Sequence, residues 1–98
     1  MAATTMDAQT EAEAAESTPD THIAALRTRI DEIDATIIRL WQERAALSQE
    51  VGATRVAAGG TRLVLSRERE ILDRFRRALG EDGTQLALLL LRAGRGRL

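Results

Sequence analysis

The sequence predicts an all-α fold with three helices per chain, one long and two short, forming an intertwined helical homodimer. Three observations lead there. No stretch shows the apolar–polar alternation of a strand over a useful length, and no internal repeat is present. Between Ile23 and Val51 the apolar residues recur every seven positions, the spacing of a coiled-coil seam. Glycines at Gly59-Gly60 and Gly80 then punctuate the chain where helical patterns stop.

The first helix opens around Pro19-Asp20, because Pro suits a first-turn position and an acid complements the positive helix N-terminus. It meets no further Pro and no Gly until Gly52, and can continue to Ala57 or Ala58 before Gly59-Gly60 breaks it. Ser66 is the expected N-cap of the second helix, with Glu68 and Glu70 in its first turns and Gly80 as its C-terminal stop. Asp82-Gly83-Thr84 reads as a turn, and a third helix is expected from about Thr84 to Ala93, stopped by Gly94.

The long helix carries the dimer argument. Ile23, Ile30 and Ile37 form one row and Leu26, Ile33, Leu40 and Leu47 the other, with Val51 continuing the first. That seam is about 42 Å long, against about 20 Å for the second helix and about 15 Å for the third. Laid end to end the two short helices barely match it, and the turns between them waste coverage. A second chain is therefore expected to cover the rest.

Composition narrows the function. Ninety-eight residues allow one small domain, expected at 18–98 behind a disordered acidic tail at 1–17. There is no Cys and a single His, His22, so neither a disulfide framework, a thiolate site nor a histidine-rich metal site fits one chain. One Trp, one Phe and no Tyr leave little for stacking on nucleic-acid bases. The longest apolar run, Leu86 to Leu91, falls far short of a membrane span, and the N-terminus lacks a secretory pattern. The expectation is a soluble cytoplasmic protein that binds neither membrane nor nucleic acid. All fourteen basic residues are Arg; codon bias can account for this, yet each guanidinium is a planar fork suited to carboxylate or phosphate.

The Ile23, Ile30, Ile37 row is interrupted by Arg44. A guanidinium there needs an anion: either a nearby acid such as Glu43 or Glu50, or a ligand, unless it reaches out to solvent. Arg55 lies eleven residues on, almost three turns, so both arginines face one side of the helix about 16 Å apart. Two long side chains at that separation can bracket a small molecule with two anionic groups. Arg27 is about 25 Å from Arg44 and turned by roughly 100°, so it can join that site only from the partner of an antiparallel dimer. Arg67 and Glu68 add another cation and an acceptor, brought near Arg55 if the Gly59-Gly60 break folds the second helix back. Taken singly, each of these charges is also what a solvated helix face shows.

Together, Leu26-Arg27 to Ile30, Ile33-Asp34, Glu43-Arg44, Val51-Gly52, Arg55 and Ser66-Arg67-Glu68-Arg69-Glu70 resemble the all-α chorismate mutases over residues 22–80. Gly59-Gly60-Thr61-Arg62-Leu63-Val64 and the Leu88–Leu98 ending resemble more narrowly the short intracellular actinobacterial subgroup. The resemblance implies a homodimer with two sites built from both chains, and rearrangement of chorismate to prephenate in phenylalanine and tyrosine biosynthesis. By position it implies that Arg27 of the partner chain and Arg44 grip the two carboxylates, and that Arg55 reaches a carboxylate and the ether oxygen. Glu68 accepts from the ring hydroxyl, Arg67 supports the anionic pocket, and Val64 contributes mainly a backbone N–H. It also implies weak activity alone and activation in a complex with DAHP synthase through the flexible Gly94-Arg95-Gly96-Arg97-Leu98 end.

The chemistry needs no metal, cofactor, nucleophile or proton transfer. One C–O bond breaks as one C–C bond forms within a single molecule, so catalysis consists of holding the compact conformer and placing positive charge at the ether oxygen. Relatives set a polar side chain, often Gln, from the third helix against that oxygen. Here the third helix offers Leu86, Leu88, Leu89, Leu90 and Leu91, with Gln85 too early and Arg95 in the tail. Two other readings stay open: pyruvate elimination from isochorismate on the same scaffold, and a non-catalytic helical adaptor.

Overall fold

The computed structural model describes residues 18–96. The expected acidic tail at 1–17, and Arg97 and Leu98 at the other end, lie outside the described residues. Three helices follow one another: α1 (Pro19–Ala57), α2 (Leu65–Leu79) and α3 (Glu81–Arg95). No strand occurs among the described residues. None of the helices is long and apolar enough to cross a membrane.

The start of α1 is fixed by Thr18, whose Oγ1 accepts the Thr21 N–H at 3.1 Å and whose carbonyl accepts the His22 N–H at 3.0 Å. Pro19 thus takes the first helical position, where its missing N–H costs nothing. The chain divides into two units with the boundary inside α1, between Thr36 and Ile37. In the first, Ile23, Leu26, Ile30 and Ile33 stay exposed, beside a solvent-facing Arg29–Glu32 pair at 3.1 Å. In the second, Ile37, Leu40, Leu47 and Val51 stay exposed as well. Across both rows each of these residues exposes between 41 and 57% of its surface.

The second unit holds the core. Ile71 of α2 meets Ala87 and Leu91 of α3, with Leu72 and Phe75 packed against them. Ala87 is fully buried within this cluster. The start of α2 differs from the sequence expectation: Ser66 lies inside the helix, and Val64 is the N-cap. Val64 has the extended backbone of a capping residue (φ −124°, ψ 102°), and its carbonyl accepts the Glu68 N–H at 3.2 Å. No side chain caps this end.

The third helix also departs from expectation at both ends. Gly80, at φ 72°, ends α2 by donating its N–H to the Arg76 carbonyl at 2.7 Å, and α3 starts at the next residue. One left-handed glycine reverses the chain, so Asp82-Gly83-Thr84 is not needed as a turn and is helical. Gly83 instead permits contact: a Cβ there would fall on the Phe75 carbonyl oxygen and 2.9 Å from the Leu79 Cβ. Gly94 likewise lies within α3, which ends at Gly96 with φ 66°. Gly83→Ala is expected to force α2 and α3 apart and cost about 1–3 kcal/mol, read as a lower thermal midpoint; an unchanged midpoint would contradict this packing.

Candidate active site

α1, α2, α3 and the segment joining α1 to α2 line a partly open cavity of about 300 Å³. From α1 come Arg44, Ser48, Gly52 and Arg55; from the connecting segment Arg62 and Val64; from α2 Arg67 and Glu68. Leu91, Gly94 and Arg95 of α3 complete the wall. Five of these residues are cations and Glu68 is the one acid.

Local structure accounts for each placement. Gly59, at φ 86°, turns the chain back, and Gly60 donates its N–H to the Arg55 carbonyl at 2.8 Å. The loop is thus tied to the last turn of α1, next to the Arg55 side chain. Thr61 Oγ1 donates to the Leu63 carbonyl at 3.0 Å and holds the approach to Val64. The end of α3 is fastened to α1 by two side chains: Arg44 Nη1 donates to the Leu90 carbonyl at 3.3 Å, and Gln49 Nε2 donates to the Ala93 carbonyl at 3.1 Å. The Gln49 contact satisfies one of the last carbonyls of α3, which a helix C-terminus otherwise leaves without a partner. Gly94 makes the approach possible, since a Cβ there would stand 2.5 Å from Ser48 Oγ.

The electrostatics are those of an anion site. Burial, then the charges of Arg67 and Arg74, push the Arg44 guanidinium below its ordinary pKa. Its environment therefore disfavours its own charge and favours an incoming anion. Neither Glu43 nor Glu50 forms an ion pair with Arg44 among the described residues. Glu68 is engaged by Arg95, whose Nε donates to Oε1 at 3.0 Å and whose Nη2 donates to the same oxygen. Arg67 pairs with Glu70 at 3.5 Å on the exposed side of α2, a contact worth little.

Of the residues picked out in the sequence, Arg44, Arg55, Val64, Arg67 and Glu68 line one cavity. Arg27 is not among the lining residues and lies in the first unit. Sequence reasoning missed Arg62, and it left Arg95 in a tail. Arg95 is instead in the last turn of α3 and reaches into the cavity without any reorganisation. The helix runs through Gly94 because that glycine is packed against Ser48, which the sequence gives no means of seeing. Gly52, a lone glycine in a long helix, is the one signal that a side chain crosses α1 at that level.

Such a cavity can hold a compact dianion, set guanidinium groups around it and offer one carboxylate acceptor. The family model described as chorismate mutase type II matches residues 26–90, more than half of the chain. The intracellular chorismate mutase of Mycolicibacterium smegmatis is 51% identical over 73 residues, covering 74% of this chain and 70% of that protein. Its counterpart in Mycobacterium tuberculosis is 50% identical over 83 residues, covering 85% and 78%. Among solved structures, the non-covalent complex of DAHP synthase and chorismate mutase from Corynebacterium glutamicum, with a bound transition state analog, matches with a TM-score of 0.76. That match has 44% identity and covers 81% of this chain and 95% of the other. The matched region takes in α2, the first two thirds of α3 and every cavity residue except Leu91, Gly94 and Arg95, and on this ground the chain belongs to the chorismate mutase type II family.

Proposed function

We propose that the cavity binds chorismate and rearranges it to prephenate in a two-chain assembly. The observation that carries this reading is the excess of guanidinium groups around a space of about 300 Å³, with Glu68 as the lone carboxylate. Arg44 takes one carboxylate of the substrate, and Arg27 of a second copy takes the other. Arg55 turns from the last turn of α1 towards the ether oxygen, where negative charge grows as the C–O bond lengthens. Holding the carboxylates mostly improves binding, whereas the cation at the ether oxygen acts selectively on the transition state. Glu68 accepts the ring hydroxyl, Val64 offers its backbone N–H and Arg67 holds the field positive.

Two further features belong to the reading. The exposed rows of α1 are the face on which a second copy packs, giving an intertwined homodimer with Arg27 crossing the interface. The Gly94-Arg95-Gly96-Arg97-Leu98 end is the contact through which DAHP synthase raises a weak basal activity. The Corynebacterium glutamicum neighbour, solved as a complex of those two enzymes, supports DAHP synthase as the partner. The names of the mycobacterial relatives support an intracellular location.

The deciding experiment follows chorismate consumption with and without the cognate DAHP synthase and identifies the product. Prephenate is expected, at a higher rate in the complex. Salicylate and pyruvate would assign the elimination instead. No turnover in either condition, with full activity in Arg44→Ala for some other task, would leave a helical adaptor.

A further inference from the structure

Arg62 stands apart among the cavity cations. It comes from the connecting segment, and its side chain lies across α1 at Gly52. A Cβ built on Gly52 would meet the Arg62 Cγ at 3.0 Å, Nη1 at 3.7 Å and Cδ at 3.8 Å. Gly52 is buried although its helical neighbours are exposed, so the stem of Arg62 covers it. The absent side chain thus creates a shallow saddle that leads the guanidinium into the cavity wall.

Three of the four other cavity cations are already engaged in part, while the Arg55 side chain, like that of Arg62, has no such partner among the described residues. Arg95 is paired with Glu68, Arg67 with Glu70, and Arg44 donates to the Leu90 carbonyl. Arg62 forms no ion pair and no side-chain hydrogen bond among the described residues. It is a cation with all its donors available, held in place by packing of its stem and not by a carboxylate.

We infer that Arg62, seated on Gly52, is a further carboxylate-binding residue that selects dianionic over monoanionic ligands. This rests on the reading of the cavity as a dicarboxylate site. A guanidinium that contributes charge to both the bound ground state and the transition state improves binding uniformly, so its loss raises KM and leaves kcat nearly alone.

The test measures chorismate kinetics and calorimetric binding of prephenate to the intact protein, with benzoate as a monocarboxylate probe. Arg62→Ala is expected to raise KM and the prephenate Kd about tenfold, with kcat changed by less than about threefold, as for one partly solvated charged hydrogen-bond donor. Arg62→Lys recovers part of the loss. Gly52→Ala pushes the stem aside by a few tenths of an ångström and gives a smaller loss in the same direction. Benzoate binding, weak throughout, does not change. Wild-type turnover with an Arg62→Ala variant whose KM and Kd stay within about twofold would overturn this inference and leave the proposed function standing. A wild-type protein that neither consumes chorismate nor binds prephenate would overturn both.

Discussion

Arg55→Ala is expected to lower kcat for prephenate formation roughly a hundred- to a thousandfold, the range found when one preorganised donor is removed from a developing oxyanion. KM should move far less. Arg55 occupies the last turn of α1, where a cation also complements the helix dipole, a contribution of only about 0.3–1 kcal/mol. The fold therefore survives the substitution, and circular dichroism should match wild type. Arg55→Lys should restore much of the rate, because a point charge at the ether oxygen supplies the same sign without the planar fork. If Arg55→Ala keeps kcat within about threefold, the differential interaction lies elsewhere in the cavity.

Ile33→Glu combined with Leu40→Glu is expected to abolish both the assembly and the activity. Both positions lie on the exposed seam of α1, on the row that also carries Leu26 and Leu47. Burying one such side chain contributes about 1.5–3 kcal/mol, and a two-fold assembly counts every position twice. Placing carboxylates there replaces that gain with desolvation of like charges. Sedimentation equilibrium should show monomer, helical signal should fall, and chorismate consumption should cease. For the wild type, the thermal midpoint should rise with protein concentration, as mass action demands of a chain whose folding is tied to association. A double variant that remains paired and active would refute the seam as the interface.

How far the sequence discloses this protein depends on the kind of feature. The long helix is legible because its seven-residue repeat runs for four turns of the pattern without a competing signal. The Gly80 stop is legible for the same reason: one glycine follows a clear amphipathic run. The ends of α3 are not, because Gly83 and Gly94 read as breakers when their role is steric. Each is required by an atom distant in sequence, the Phe75 carbonyl in one case and Ser48 in the other. Ser66 misleads in the opposite way, as a good capping residue two positions inside a helix that begins without a side-chain cap.

The cavity divides along similar lines. Arg44 and Arg55 can be paired from helical spacing alone, since one rigid element holds both. Arg62 and Arg95 cannot, because each depends on where a loop or a second helix returns. Arg62 needs the gap over Gly52, and Arg95 needs α3 to continue past Gly94 to meet Glu68. Arg27 is not among the lining residues, and its proposed place in the site rests on the second copy.

The choice of guanidinium for every cation in the cavity has a consequence for how the protein meets its surroundings. Lysine amines lose their protons at about pH 10 and are the targets of acylating and carbonyl reagents. Guanidinium groups ordinarily keep their charge beyond that range, although at Arg44 burial and neighbouring charges push against it. A site walled in this way has a charge that neither alkaline swings nor lysine acetylation can adjust. Control over it must therefore come through shape: through where the loop after α1 and the end of α3 place those fixed charges.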